Sequence, residues 1–301
     1  MTSTVTEGVE TSSESDCIWF RLDLITIGAL MLALAAAWRI IDVFVLGLGN
    51  TWINILPSKL FPMLILVGFF WVYRRGETRT VLGLSREHLG SSVIVGFLVG
   101  VTIYILIDAG AIVLYGLYVD PTYPLDFSIP YAELLWYQFM FFSTNAVLEE
   151  TLFRGLLQNG LKTRISVRWA ILTSAFLFAI WHLVWPVVNA TPDGFGVSEA
   201  VGIMVFSVVF GTFQSVYYEC FSGGRSLVGP IVTHTLVNFF NESFRIGPEP
   251  MIQGPDVAYS SPVLTGMMLV MFLLTMTILL IVMSKFRIGQ VDSLRERLRG
   301  Q

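Results

Sequence analysis

The chain has 301 residues, of which 54% are hydrophobic and only 13% charged, and its mean hydropathy is +0.71. A soluble domain carries roughly 25% charged residues, so these values exclude an ordinary soluble protein and point to a polytopic membrane protein. The net charge of −4 offers no basic face and excludes nucleic acid as a partner, and the two cysteines, Cys17 and Cys220, are too far apart for a metal knuckle or a disulfide framework.

Met1 to Asp16 are rich in Ser, Thr and Glu and lack the positive n-region and apolar core of a signal peptide, so residues 1–22 read as a disordered cytoplasmic tail. A span needs about 20 mostly apolar residues. About eight runs qualify: Leu24 to Leu48, Leu56 to Tyr73, Ser91 to Val119, Tyr131 to Leu152, Val167 to Val188, Ala200 to Cys220, Leu227 to Phe244, and Pro262 to Met283. The expected fold is therefore all-α: one transmembrane bundle of about eight helices over residues 23–284, followed by a basic cytoplasmic tail over 285–301. Run four should continue as helix toward Lys162, and run seven is short and polar enough to be re-entrant or shielded by its neighbours.

Lys and Arg gather in alternate loops: Arg74 to Arg86 after run two, Lys162 to Arg168 after run four, Arg225 after run six, and Lys285 to Arg299 after run eight. The intervening loops are nearly free of them, so both termini are expected in the cytoplasm. Scarce lysine and an acidic N-terminus hint at a prokaryotic source, hence an integral protein of the plasma membrane.

Ionisable residues inside spans are costly and mark function. In run one, Arg39 and Asp42 stand at i, i+3 and read as a neutralised structural bridge, while Asp108 stands alone in run three. No second aspartate completes an aspartyl dyad, and no Gly-x-Ser-x-Gly or His-Glu-x-x-His occurs. The richest stretch is Glu149-Glu150-Thr151-Leu152-Phe153-Arg154-Gly155. On a helix Glu150 and Arg154 share a face, about 40° apart, whereas Glu149 points about 100° from Glu150. Arg154 can thus hold Glu150 in a structural pair and leave Glu149 for chemistry, although such a run is usually only the solvated end of a helix.

Of three histidines, His182 and His234 lie in spans and His88 in a charged loop. The turn between runs four and five centres near Ile165, with Glu149 and His182 each about 16 residues from it, so an antiparallel hairpin sets both about 25 Å from the turn. Asn238 shares a face with His234, and Pro186 should kink the helix beside His182.

Together, Glu149-Glu150-x-x-x-Arg154, Phe178-x-x-x-His182 and His234-x-x-x-Asn238, in this order, resemble the three motifs of the CAAX prenyl protease and bacteriocin-processing (Abi) family of intramembrane proteases, over roughly Pro130 to Asn241. The resemblance implies an endopeptidase in which Glu149 and His182 activate water, His234 and Asn238 complete an oxyanion site, and Glu150 and Arg154 support it. Its substrate would be a peptide or a protein, prenylated or not. The residue types suit hydrolysis: a carboxylate with a nearby imidazole can take a proton from water and pass it to a leaving amine, and amide or imidazole donors can meet the charge on a tetrahedral intermediate. Glu149, His182 and His234 are also a donor set that can hold zinc, and the sequence leaves zinc-dependent and metal-independent mechanisms both open. The reading from another class is a non-proteolytic scaffold or immunity protein, or a proton-coupled transporter using the same polar cluster.

Overall fold

The structure, a computed structural model, describes residues 22–47, 52–188, 197–247 and 261–299. Cys17, the proposed tail through residue 21, and the loop around Asn189 lie outside the described residues.

Apolar stretches become helices because within a membrane each backbone N–H and C=O must be satisfied inside its own segment. In chain order these are α1 (Leu24–Ile40), α2 (Trp52–Tyr73), α3 (Thr78–Val81), α4 (Leu89–Ile103) and α5 (Gly110–Tyr118), then strand β1 (Phe127–Ser128). They are followed by α6 (Leu135–Glu150), α7 (Asn159–Lys162), α8 (Val167–His182), α9 (Val184–Val188), α10 (Val197–Val216), α11 (Val228–Ser243), β2 (Arg245–Ile246), α12 (Pro262–Lys285) and α13 (Ile288–Leu298). Among the described residues, four π-helical segments, Ile41–Val45, Tyr104–Ala109, Thr151–Gln158 and Tyr217–Phe221, adjoin them. Each carries or directly follows an acidic residue: Asp42, Asp108, Glu149 with Glu150, and Glu219. Single-turn π-bulges concentrate at functional sites.

The expectation of about eight spans meets a more graded result. By length and hydropathy four helical stretches among the described residues can cross a membrane: Leu24–Val45, Leu89–Tyr118, Ala200–Phe221 and Pro262–Lys285. Val167–His182 is apolar but 16 residues long, and α2 carries an apolar stretch over Lys59–Tyr73 within its 22 residues. Of the remaining two expected runs, α6 continues as helix without a break through Thr151–Gln158 and α7 to Lys162, as expected, and α11 is 16 residues long; they hold Gln138, Asn145, Glu149, Glu150, His234 and Asn238. Their neighbours shield them, since α11 packs between α4 and α6, and α6 also packs against α2.

Glycine permits the closest of these approaches. A Cβ on Gly96 would fall 2.7 Å from the carbonyl oxygen of Gly229, and one on Gly100 would fall 2.8 Å from Cβ of Leu236. Gly96-x-x-x-Gly100 is the small-residue spacing that lets two membrane helices touch backbone to backbone, and Thr233 Oγ1 donates to the Gly96 carbonyl at 3.1 Å. This contact fixes the depth of His234, the next residue along α11.

At one end of the bundle, Leu227 N donates to Gly83 O at 2.8 Å, Arg225 pairs with Glu87 at 3.1 Å, Lys162 with Glu219 at 2.8 Å, and Arg164 with Asp23 at 3.0 Å. Asp292 of α13 binds His88 and Ser91 at the start of α4. The Arg/Lys-rich loops thus share one end, as their alternation requires. Elsewhere β1 and β2 pair antiparallel, Phe127 opposite Ile246, and join the α5–α6 connection to the segment after α11.

Candidate active site

Glu149 and Glu150 end α6 deep in the protein, 1% and 0% exposed. Arg154 Nη1 donates to Glu150 Oε1 at 3.2 Å, Arg154 Nη2 donates to the Gly211 carbonyl on α10 at 3.2 Å, and its guanidinium lies 4.2 Å from the centre of the Phe178 ring. The pair expected from the i, i+4 spacing therefore forms, and it also ties α6 to α8 and α10. His234 shares the same acid: its Nδ1 lies 2.7 Å from Glu150 Oε1, which makes Nδ1–H the donor and turns Nε2 toward Glu149 Oε2 at 3.7 Å.

Glu149 occupies a different environment, as the two directions on the helix require. Trp181 Nε1 donates to its Oε1 at 3.0 Å, and Lys59 Nζ stands 3.7 Å from the same oxygen. Oε2 is buried and accepts no hydrogen bond from any described residue. One oxygen is anchored and the other faces His234.

His182 ends α8, and Leu183 turns the chain into the short α9 that holds Pro186, which accounts for the expected break beside the site. His182 Nδ1 donates to the Phe178 carbonyl at 2.8 Å, so Nε2 is the nitrogen left to exchange a proton. The ring lies within electrostatic reach of Glu149, next to the tryptophan that binds it. Asn238, one turn beyond His234, is half-buried and makes no side-chain hydrogen bond to a described residue. Phe178 and Phe210 line the His234 ring at 6.1 and 5.2 Å between centroids.

Other polar residues are distributed differently. The Asn241 amide lies against Asp108 and, with its nitrogen turned toward the carboxylate, donates to both oxygens at 2.8 and 3.2 Å. Arg39, read as the partner of Asp42, also lies over the Trp181 ring at 4.8 Å. Trp181, Lys59 and Arg39 are the members of the site that sequence reasoning missed. A lone lysine inside an apolar run is the available signal, but local spacing sets no register of α2 against α6.

The zinc alternative can be tested against these positions. Among the described residues no group of three or more His, Cys, Asp or Glu side chains is disposed to hold a metal ion. Nδ1 of each histidine donates to an oxygen, as the far nitrogen of a metal-bound imidazole also does, and leaves Nε2 available, whereas Oε1 of Glu149 is taken by Trp181 with an ammonium beside it. That ammonium would repel a divalent cation bound to the same carboxylate. The Lys59 ammonium is the feature of this arrangement that opposes a cation at Glu149.

An all-α bundle with apolar spans and a buried Glu/His cluster defines an integral membrane protein with a site suited to proton transfer. Residues 131–240, which contain Glu149, Glu150, Arg154, His182, His234 and Asn238, match the family model described as type II CAAX prenyl endopeptidase Rce1-like. The match bears out the resemblance drawn from the three motifs and supports membership of the CAAX prenyl protease and bacteriocin-processing family, hence a protease of the CAAX endopeptidase kind. Neither a curated protein nor a solved structure matches the chain.

Proposed function

We propose that this protein is an intramembrane endopeptidase that hydrolyses a peptide bond near the cytoplasmic face of a prokaryotic plasma membrane, its substrate being a peptide or a prenylated protein. The observation that carries this reading is the unequal treatment of the two Glu149 oxygens: Oε1 bound by Trp181, Oε2 left facing His234 Nε2 at 3.7 Å. Water held at Oε2 would lose a proton to the carboxylate as its oxygen attacks the scissile carbonyl. His182 Nε2 would carry that proton to the departing amine as the C–N bond breaks. Asn238 would donate to the oxyanion, as would His234 through Nε2 when both ring nitrogens are protonated, with Glu150 as counter-ion. Arg154 holds Glu150 in position for this. In this reading the Glu/His pair acts without a metal.

The test is cleavage of a fluorogenic prenylated peptide, and of its unprenylated counterpart, by purified protein. E149Q and H182A should each abolish turnover while the fold survives, and the double variant should be scarcely worse than either, because residues acting as one unit do not contribute additively. N238A should lose about 10²- to 10³-fold, and a chelator should leave the rate unchanged. Wild-type turnover by E149Q would overturn the assignment and favour a proton relay or a non-proteolytic scaffold.

A further inference from the structure

The hairpin of α1 and α2 lies outside the matched segment 131–240, yet it delivers two buried cations to the Glu149 carboxylate. Lys59, 8% exposed, is 3.7 Å from Oε1; Arg39, 7% exposed, lies 4.8 Å from the centre of the Trp181 ring, and Lys59 lies 5.8 Å from that same centre. The indole is a platform: its N–H binds Glu149 while its face meets two cations, a favourable contact when desolvated. A lysine this deep is costly unless something requires it. The charges facing Glu149 are Arg39 from α1, Lys59 from α2, and the ionisable rings of His182 and His234 from α8 and α11, with Asp42 beyond Arg39 and the Glu150–Arg154 pair on its own helical run. Lys59 is the cation in direct contact with the oxygen that does not face His234.

We propose that Lys59 is a positioning residue for the peptidase reaction: with Trp181 it fixes Oε1 of Glu149, so that Oε2 alone is presented to the hydrolytic water. The first hairpin then completes an active site whose motifs all lie in 131–240. This rests on the reading of Glu149 as the base. A purely structural ion pair would stabilise the fold without setting the rate of the chemical step, and the two roles separate in the kinetics.

The experiment compares full-length wild type, K59M, K59R and E149Q in the same detergent, by thermal melting and by kcat and KM on the fluorogenic peptide. K59M should melt cooperatively and lose about 10²-fold in kcat, as expected for a misplaced catalytic group, with KM within about threefold of wild type. K59R, which keeps charge and reach, should recover most of that loss. If K59M does not fold, K59Q is measured instead, with the same loss and the same KM expected. Wild-type kcat in a folded neutral variant, or a loss confined to KM, overturns the proposal, as does a folded K59R no better than K59M. E149Q separates the two levels: full activity in E149Q removes the reading of Glu149 itself, whereas an inactive E149Q beside a fully active K59M removes only the role of Lys59.

Discussion

Trp181 donates its indole N–H to Oε1 of Glu149 at 3.0 Å, and this one bond separates the two carboxylate oxygens into an anchored and a reactive one. A hydrogen bond to a charged group contributes about 1.5–3 kcal/mol. Trp181→Phe keeps most of the ring and removes the donor, so kcat should fall roughly 10- to 100-fold with little change in melting temperature. Steady-state kinetics beside a melting curve checks this, and an unchanged kcat would mean that Oε1 needs no anchor.

Arg154 and Glu150 are both fully buried, and His234 depends on the same carboxylate. Breaking such a pair by removing one partner typically costs about 3–5 kcal/mol, since the remaining charge stays buried and unpaired. Arg154→Ala should therefore lower the melting temperature sharply and reduce activity with it. Wild-type melting of both Arg154→Ala and Glu150→Ala would show that the pair is dispensable for the fold.

A third prediction concerns acid. At the end of the bundle where the basic loops meet, burial raises the Asp292 carboxyl, but hydrogen bonds from Ser91 and His88 and the charges of His88 and Arg295 outweigh it and hold the group below the usual carboxylate range. A depressed folded-state carboxylate stabilises the native contact above its unfolded pKa, near 3.9, and that contribution is lost as pH falls through the lower folded value. The contact between α13 and α4 should thus hold above about pH 5 and loosen below about 4. Hydrogen exchange of the α13 amides reports it. Asp292→Asn should show the loosened exchange already at neutral pH; equal protection in that variant would contradict the role given to Asp292.

The fourth concerns topology. Because the basic loops meet at one end of the bundle, through contacts such as Arg225 with Glu87 and Arg164 with Asp23, reporters fused at Gly76 and at Ser293 should both read cytoplasmic. A reporter at Thr122 should read as external. Opposite signals from Gly76 and Ser293 would break the alternation on which the orientation rests.

Local sequence determined what depends on short separations. The Glu150–Arg154 pair follows from i, i+4 spacing, the divergence of Glu149 from Glu150 from the helical angle, the break after His182 from Pro186, and the membrane class from composition. The motifs fixed which residues to examine. Only the tertiary structure decided how they are shared: that His234 reaches Glu150 with one nitrogen and faces Glu149 with the other, and that Lys59 and Trp181 take one oxygen of Glu149. Those contacts join helices separated by 32 to 90 residues, as Glu149 is from Trp181 and from Lys59 respectively, and their register is set by packing such as Gly96 against Gly229. Hydropathy has no term for that register, because a helix shielded by its neighbours can be polar, and α6 and α11, the two helices that carry most of the site, both are.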